Sequence, residues 1–197
     1  MNIKKKQIGL FFGTFNPIHI GHLIMANHIA EFGAVEEVWF VITPLSPFKK
    51  KKSLLENHHR HELVYLATEE YPKLRPSKIE FGMPEPNYTS KTLEKLLEKF
   101  PDCEFHLIVG EDNMVNFKKW KNYEYILEHH KIIVCPRIHQ KQIPQEFITH
   151  PNVTYVKTHI IEISASFIRR SIQNRKNIKP LLPESVYNYI VEMNFYK

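Results

Sequence analysis

Two histidines and a glycine lie close together near the amino terminus, in the stretch GTFNPIHIGH at residues 13–22. The apolar run IGLFF precedes this stretch and LIMANHIAEF follows it, so it joins a strand-like segment to a helix-like one. A helix start offers unpaired backbone N–H groups and a positive dipole end, which suit a phosphate. His19 and His22 are three residues apart, so one helical face carries both, and Gly21 leaves space beside the backbone. The stretch predicts a phosphate site to which Thr14 adds a hydroxyl.

A second polar stretch, ISASFIR, lies far downstream at residues 163–169. Ser164 is placed to cap a helix whose first N–H groups would also face an anion. Arg169, one turn later, carries a planar guanidinium that can hold phosphate oxygens in a two-pronged grip. This stretch is weak evidence alone and stronger when it is paired with the histidine-containing one.

The elements that must position these residues alternate between strand-like and helical runs. Strands are predicted at 7–13, 36–43, within 73–81, where Pro76 weakens the pattern, and at 104–110, 131–136 and 152–158; the composition of 104–110 and 131–136 predicts that these two are buried. Helices are predicted at 21–32, 57–70, 90–100, 165–173 and 184–193, with further helical material between the fourth and fifth strands. This βαβα rhythm predicts an α/β fold, with a parallel sheet covered by helices on both faces and two helices at the carboxyl terminus. Long connections at 43–56, 82–89 and 136–151 are candidates for substrate-facing loops.

The composition is that of an ordinary globular protein. The chain has 197 residues, 43% of them hydrophobic and 24% charged, which predicts a single domain over residues 1–197. No apolar run approaches the length of a membrane span, and Cys103 and Cys135 form no disulfide framework, so we expect a cytoplasmic protein. The net charge of +6 favours an anionic partner. The lysines of the chain form two short runs, Lys4–Lys6 and Lys49–Lys52, without interleaved aromatic residues. Nucleic acid is therefore a weaker candidate for the anionic partner than a nucleotide.

The first stretch, reading HIGH, resembles the HxGH signature of the nucleotidyltransferase superfamily. The second, ISASFIR, resembles the ISSTxIR signature of the same proteins. Members join a nucleoside monophosphate to a phosphate or carboxylate and release pyrophosphate. Three further segments resemble the bacterial nicotinate-mononucleotide adenylyltransferase family: TPLSPFKKK at 43–51, PNYTSKTLEKL at 86–96 and VGEDNMVNFKKW at 109–120. The resemblance implies a Rossmann-like fold, ATP and nicotinate mononucleotide as substrates, Mg²⁺ as cofactor and nicotinate adenine dinucleotide as product.

The resemblance also implies roles for individual positions. His19, His22 and Arg169 would be catalytic. ATP would be bound by Thr14, Phe15, Gly21, Lys49, Gly110, Asp112, Ser164, Ser166 and Ile168. The acceptor would be bound by Tyr88, Thr89 and Trp120, and no side chain is assigned as a metal ligand. The chemistry agrees, because an indole stacks on a pyridinium and a helix start offers a hydroxyl and N–H groups to a carboxylate. Without the resemblance, Trp120 would be a core residue and Thr89 a plain helix cap.

Four residues depart from the family pattern. Phe12 stands where the family has a glycine and Asn16 where it has an aspartate, which removes a charge but keeps a hydrogen-bond acceptor. Ala165 lacks one hydroxyl of the second signature, while Ser166 keeps the hydroxyl of the family's threonine. Phe48 replaces a histidine and weakens the phosphate contact expected of the lysine loop.

Other interpretations fit less well. HELVY at 61–65 begins like a zinc-protease motif, but Tyr65 stands where the second histidine is required, and no GxxxxGK[ST] motif is present. The cluster of His58, His59 and His61 favours a basic turn over a metal site, and Arg60 beside them is a weak candidate for a phosphate contact. Acceptors such as nicotinamide mononucleotide, phosphopantetheine or glycerol phosphate stay open, as does assembly into a homo-oligomer.

Overall fold

A computed structural model describes residues 4–47, 54–136, 142–159 and 161–197. In these ranges, strands alternate with helices as the sequence predicts. The strands are β1 Lys6–Gly13, β2 Glu37–Ile42, β3 Leu74–Ser77, β4 Cys103–Gly110, β5 Lys131–Cys135 and β6 Val153–Tyr155. The helices are α1 Ile20–Phe32, α2 Asn57–Thr68, α3 Thr89–Lys99, α4 Glu111–Met114, α5 Tyr123–His129, α6 Gln145–Ile148, α7 Ala165–Gln173 and α8 Glu184–Glu192, with 3-10 turns at Phe117–Lys119 and Lys179–Leu181.

The strands form one parallel sheet in the order β3-β2-β1-β4-β5-β6. The chain builds outward from β1 to β3 and then returns to place β4 on the other side of β1. The order therefore reverses between β1 and β4, which is where ligands bind in open α/β sheets, beyond the carboxyl ends of the strands. The predicted α/β Rossmann-like sheet is confirmed.

The two faces of the sheet are apolar because successive residues of a strand point to opposite sides. In β1, Ile8 and Leu10 pack on one face, while Phe11 packs on the other. The first face is covered by α3, α4, α5 and α6, and the second by α1, α2, α7 and α8. Helices therefore cover both faces, as the unbroken apolar strands predict.

Two edge strands are shorter than predicted. β3 ends at Ser77 rather than residue 81, and β6 covers three residues rather than seven. Each edge strand pairs with one neighbouring strand, so it has fewer hydrogen bonds than an inner strand. Pro76 is tolerated because β3 lies at the edge of the sheet. The predicted loop at 136–151 contains the short helix α6. Within the described residues, no helix has the length and apolar character needed to cross a membrane.

Candidate active site at the carboxyl edge of the sheet

His19 and His22 lie at the start of α1, directly beyond the carboxyl end of β1. The backbone N–H of His19 donates to Nδ1 of His22 at 3.3 Å, and the two rings stack with their centroids 3.7 Å apart. His19 is buried and His22 is half-buried. Because Nδ1 of His22 accepts this hydrogen bond, its neutral imidazole carries the hydrogen on Nε2, which makes Nε2–H the donor available to a ligand.

Phe15 lies beneath the histidines in the turn between β1 and α1. Its φ of 44° lies in the left-handed region that residues with side chains rarely adopt. The buried ring meets His22 and Phe40 edge-on, at centroid distances of 5.2 and 5.3 Å. A Cβ on Gly13 would lie 2.7 Å from this ring, so the turn requires glycine there. The predicted ATP contact of Phe15 would therefore involve its backbone rather than its ring.

Gly21 makes room for a histidine of the site itself. A Cβ at this position would lie 3.2 Å from Nδ1 and 3.3 Å from Cε1 of His19. These distances are shorter than ordinary van der Waals contacts, so a side chain here would require the imidazole to shift by a few tenths of an ångström. The sequence suggested that the missing side chain leaves space for a ligand; the structure adds that it leaves space for His19.

The second signature reaches the first through Arg169. Its Nη1 donates to the backbone oxygen of Asn16 at 2.7 Å, and its Nη2 donates to Oγ of Ser166 at 3.2 Å. Ser164 caps α7, because its Oγ accepts the N–H of Phe167 at 3.1 Å. These two bonds of Arg169 use two of the five N–H donors of a guanidinium. The geometry thus brings Arg169 to the loop that precedes the histidines.

Ile168 is placed differently from its predicted role. Its side chain is fully buried in the core between the sheet and α7, and its N–H donates to the backbone oxygen of Ser164 at 3.1 Å. An ATP contact by this side chain is not compatible with that position. Ile168 instead anchors the helix that carries Ser166, which is exposed, and Arg169, which is half-buried.

The three residues predicted to bind the acceptor line one cavity. The cavity has a volume of about 530 Å³. Tyr88 precedes α3, Thr89 is its first residue, and Trp120 follows the 3-10 turn after α4. Thr14 lines the same cavity and belongs to the loop that leads from β1 to the histidines. The sheet edge therefore places the candidate acceptor residues beside the candidate phosphate residues.

Other predicted positions are found near the switch point or lie outside the described residues. Gly110 ends β4 and precedes α4, and Asp112 is exposed in the first turn of that helix. Both therefore lie at the carboxyl edge, as expected of a nucleotide crossing point. Lys49 and Phe48, which belong to the predicted lysine loop, lie outside the described residues.

Several residues that line the cavity are not predicted by the sequence patterns. They include Thr43 and Ser46 after β2, Glu80 and Asn87 before α3, and Lys119 and Lys121 beside Trp120. Asn87 joins two walls, because its N–H donates to the oxygen of Leu45 at 2.9 Å and its Oδ1 accepts the N–H of Leu45 at 3.1 Å. The lysines flank Trp120 in the sequence and could have been found there, whereas nothing local indicates Glu80.

Arg60 corrects an interpretation made from the sequence. Its side chain is fully buried and holds backbone rather than phosphate. Nη1 donates to the oxygens of Thr14 and Thr43, at 2.8 Å each, and Nε donates to the oxygen of Leu55 at 3.0 Å. Arg60 thus joins the loops after β1 and β2 into one frame behind the cavity. Burial lowers the pKa of its guanidinium below the ordinary value, which still leaves the group charged at neutral pH.

The described side chains form no multidentate metal site. Among them, no group of three or more histidine, cysteine, aspartate or glutamate residues could hold a metal ion. Mg²⁺ nevertheless suits a phosphate site of this kind, because it keeps several waters and is commonly bound by substrate phosphates.

Comparison with known proteins identifies close relatives over the whole length. The family model described as Cytidylyltransferase-like matches residues 10–171. A protein of Christiangramia forsetii, named "Probable nicotinate-nucleotide adenylyltransferase", is 59% identical over 192 residues, which cover 98% of this chain and 99% of that protein. A protein of the same name from Flavobacterium psychrophilum is 56% identical, with 97% of this chain and 99% of that protein covered.

Solved structures share the fold. The nicotinic acid mononucleotide adenylyltransferase of Plasmodium falciparum, complexed with NaAD, superposes with a TM-score of 0.80 at 23% identity. The superposition covers 97% of each chain. A second structure of that enzyme, complexed with APC, gives a TM-score of 0.79. At this identity the likeness bears on the fold alone.

Proposed function

The chain belongs to the nicotinate-nucleotide adenylyltransferase family, and from this premise we propose that it transfers the adenylyl group of ATP to nicotinate mononucleotide. The products are nicotinate adenine dinucleotide and pyrophosphate, so the reaction forms a dinucleotide precursor of NAD. The observation that carries the proposal is the arrangement at the carboxyl edge of the sheet. Gly13 and Thr14 line the cavity together with Tyr88, Thr89 and Trp120, and they begin the loop that leads from β1 to His19 and His22 at the start of α1.

The chemistry requires positioning more than proton transfer. A phosphate oxygen of the mononucleotide, ionised at neutral pH, attacks the α-phosphorus of ATP and forms the new P–O bond. The bond from that phosphorus to the oxygen bridging to the β-phosphate breaks, and its electron pair leaves with pyrophosphate. No general base is needed, because the nucleophile carries no proton. Catalysis then comes from alignment of the two substrates and from stabilisation of charge moving to the leaving group.

The histidines supply that stabilisation in our proposal. Nε2–H of His22 would donate to a phosphate oxygen, since Nδ1 already accepts the N–H of His19. The N-terminal end of α1 adds its dipole and unpaired N–H groups to the same anion. Because His22 is held by the stacked ring of His19, its donor needs little reorganisation during the reaction.

Arg169 would hold the phosphates from the opposite side. Its bonds to Asn16 and Ser166 fix the guanidinium plane, which suits two-pronged contact with phosphate oxygens. Lys49 would add a charge from the lysine loop. We propose that Mg²⁺ accompanies ATP and is held mainly by phosphate oxygens, where it would neutralise charge on the leaving pyrophosphate.

The cavity would bind the pyridine ring of the acceptor. Trp120 offers a stacking plane to the cationic ring, and Tyr88 lines the same cavity. Thr89 would present its hydroxyl, together with the N–H groups at the start of α3, to the nicotinate carboxylate. Lys119 and Lys121 add positive charge to the lining, and Lys121 Nζ lies 4.6 Å from the centre of the Tyr88 ring.

A screen of acceptors tests the proposal. The protein is incubated with ATP, Mg²⁺ and one acceptor at a time, and pyrophosphate release and product mass are measured. We expect nicotinate mononucleotide to react fastest among nicotinate mononucleotide, nicotinamide mononucleotide, phosphopantetheine and glycerol phosphate. Pyrophosphate release with phosphopantetheine or glycerol phosphate, and with neither pyridine mononucleotide, would overturn it. A cytoplasmic location, a single domain and the absence of nucleic-acid binding stay predictions.

A further inference from the structure

Glu80 is a buried acid in the wall of the acceptor cavity to which no role has been given above. It lies in the loop between β3 and α3 and is 1% exposed. The hydroxyl of Thr92 donates to its Oε1 at 2.6 Å. Its Oε2 is buried and, among the described residues, has no hydrogen-bond partner. Such an atom needs an explanation, because buried polar atoms in native proteins are nearly always hydrogen-bonded.

The surroundings of Glu80 favour its neutral form. A buried, ionised carboxylate with one oxygen that lacks a hydrogen-bond partner loses more hydration than it regains. Burial accordingly raises the pKa of Glu80 above the ordinary glutamate value, against the opposing effect of the Thr92 and Thr43 hydroxyls. A protonated Glu80 puts no charge on the wall, whereas an ionised one puts a negative charge where little water screens it.

Charged groups on the neighbouring elements are directed elsewhere or line the cavity itself. Lys95 on α3 donates to the backbone oxygen of Ile79 at 3.1 Å. Lys119 and Lys121, near the 3-10 turn, line the cavity together with Glu80, and Lys78 is exposed two residues before it. The lysines around the cavity draw anionic acceptors in, and Glu80 is the acidic side chain among the lining residues that are described.

We propose that Glu80 is a specificity-determining residue whose carboxyl favours the nicotinate acceptor when it is protonated. This inference rests on the proposed function. Nicotinate and nicotinamide mononucleotides differ at one ring substituent, a carboxylate in the first and a neutral amide in the second. An ionised Glu80 would repel the carboxylate and leave the amide almost unaffected, so the preference for nicotinate should fall as Glu80 loses its proton.

The ratio of kcat/KM for the two mononucleotides measures this effect. It is determined from about pH 5 to about pH 9.5, a range that begins near the ordinary pKa of glutamate, in the wild type and in the Glu80→Gln variant. Titration of ATP or of the acceptor phosphate affects both acceptors alike and cancels in the ratio. We expect the wild-type ratio to fall about tenfold or more toward alkaline pH. The Glu80→Gln ratio should stay nearly flat, because glutamine is neutral throughout.

Two further variants make the outcome decisive. Glu85→Gln changes an exposed acid of the same loop, and its kcat/KM ratio should depend on pH as that of the wild type does. Thr92→Val removes the hydrogen bond to Oε1 that favours the charged form, so the fall should move to higher pH. Circular dichroism shows whether Glu80→Gln folds. If it does not, the inference is tested by whether the fall of the kcat/KM ratio moves to higher pH in Thr92→Val.

A pH-independent wild-type ratio overturns the inference, as does a fall that persists in Glu80→Gln or an unshifted fall in Thr92→Val. These results differ from failure of the proposed function, in which neither pyridine mononucleotide would release pyrophosphate at any pH.

Discussion

The hydroxyl of Tyr196 donates a 2.8 Å hydrogen bond to Oδ1 of Asn16, although 180 residues separate the two in the chain. The same Oδ1 accepts the N–H of Leu55 at 3.2 Å, and the backbone oxygen of Asn16 accepts Arg169. Burial raises the pKa of the Tyr196 phenol, so it keeps its proton and stays a donor at neutral pH. The carboxyl-terminal segment therefore fixes the loop on which the first signature depends, and Asn16 serves there as an uncharged acceptor.

Removal of the Tyr196 hydroxyl should weaken the binding of ATP more than the binding of the acceptor. In Tyr196→Phe, we expect the free energy of unfolding to fall by about 1 kcal/mol and the KM for ATP to rise several-fold. Tyr189→Phe is the matched control, because it removes the hydroxyl that pairs with Nδ1 of His59 at 2.9 Å. It should cost similar stability and leave both KM values unchanged. Equal KM values for ATP in the two variants would mean that Tyr196 has no positioning effect.

Loss of the second histidine should slow the reaction without unfolding the protein. We expect His22→Ala to lower kcat by roughly 10²–10³-fold, as for one preorganised donor to developing charge. His28→Ala changes a histidine of the same helix on the side facing Phe32 and should behave like the wild type. Steady-state kinetics with saturating ATP, together with circular dichroism, test this. Wild-type turnover in His22→Ala would contradict the assigned role.

Arg169→Lys should weaken ATP binding. A lysine ammonium is a point charge and cannot reproduce both the planar grip on phosphate and the bonds to Asn16 and Ser166. We expect a clear loss of ATP affinity in calorimetry and little change for the acceptor. The neighbouring Arg170 is exposed, so Arg170→Lys provides the control. Unchanged ATP affinity in Arg169→Lys would leave this arginine with a purely structural role.

The lining of the acceptor cavity predicts a preference between the two pyridine mononucleotides at neutral pH. We expect kcat/KM to favour nicotinate over nicotinamide mononucleotide by at least about tenfold, or about 1.4 kcal/mol. The charged substituent makes the stronger hydrogen bonds, and the amide leaves a donor facing a donor. Thr89→Val should reduce the preference, while Trp120→Ala should weaken both acceptors alike because stacking does not depend on the substituent. Equal use of both acceptors by the wild type would refute this selectivity and leave adenylyl transfer itself untouched.

Two buried histidines should make the fold sensitive to acid. Burial lowers the pKa of His106 and of His130, so both are neutral in the native state. Their contribution to stability is present above the unfolded pKa of about 6.5 and is lost as the pH falls through the native values. Urea unfolding should therefore show a lower free energy of unfolding at about pH 5.5 than at about pH 7.5.

Two glutamine variants test whether a buried histidine causes the loss of stability at acid pH. His106→Gln should lose less stability on acidification than the wild type, since the side chain that must take up a proton is gone. His129→Gln, at an exposed neighbouring position, should lose as much as the wild type. If both variants lose the same stability on acidification, His106 is not the cause of the loss.

Local patterns in the sequence determined the elements and the two signatures. The strand before the histidines, the start of α1 and the cap formed by Ser164 depend on residues within one or two turns of each other. Apolar alternation and capping act over that same short range, so the chain order alone indicates them. The βαβα rhythm likewise predicted a parallel sheet, and the strand order confirms it.

The contacts that hold the site together, and the residues that face the acceptor, follow from the packing of distant segments. Arg60, a candidate phosphate ligand by sequence, binds backbone oxygens of loops after two strands, and Tyr196 reaches Asn16 from the far end of the chain. Glu80 becomes a buried acid in the cavity because α3 places Thr92 against it. These contacts join residues that the chain separates by 12 to 180 positions. Their partners, and the burial that sets their protonation, exist only once the sheet and helices have packed, because desolvation depends on every neighbour in space.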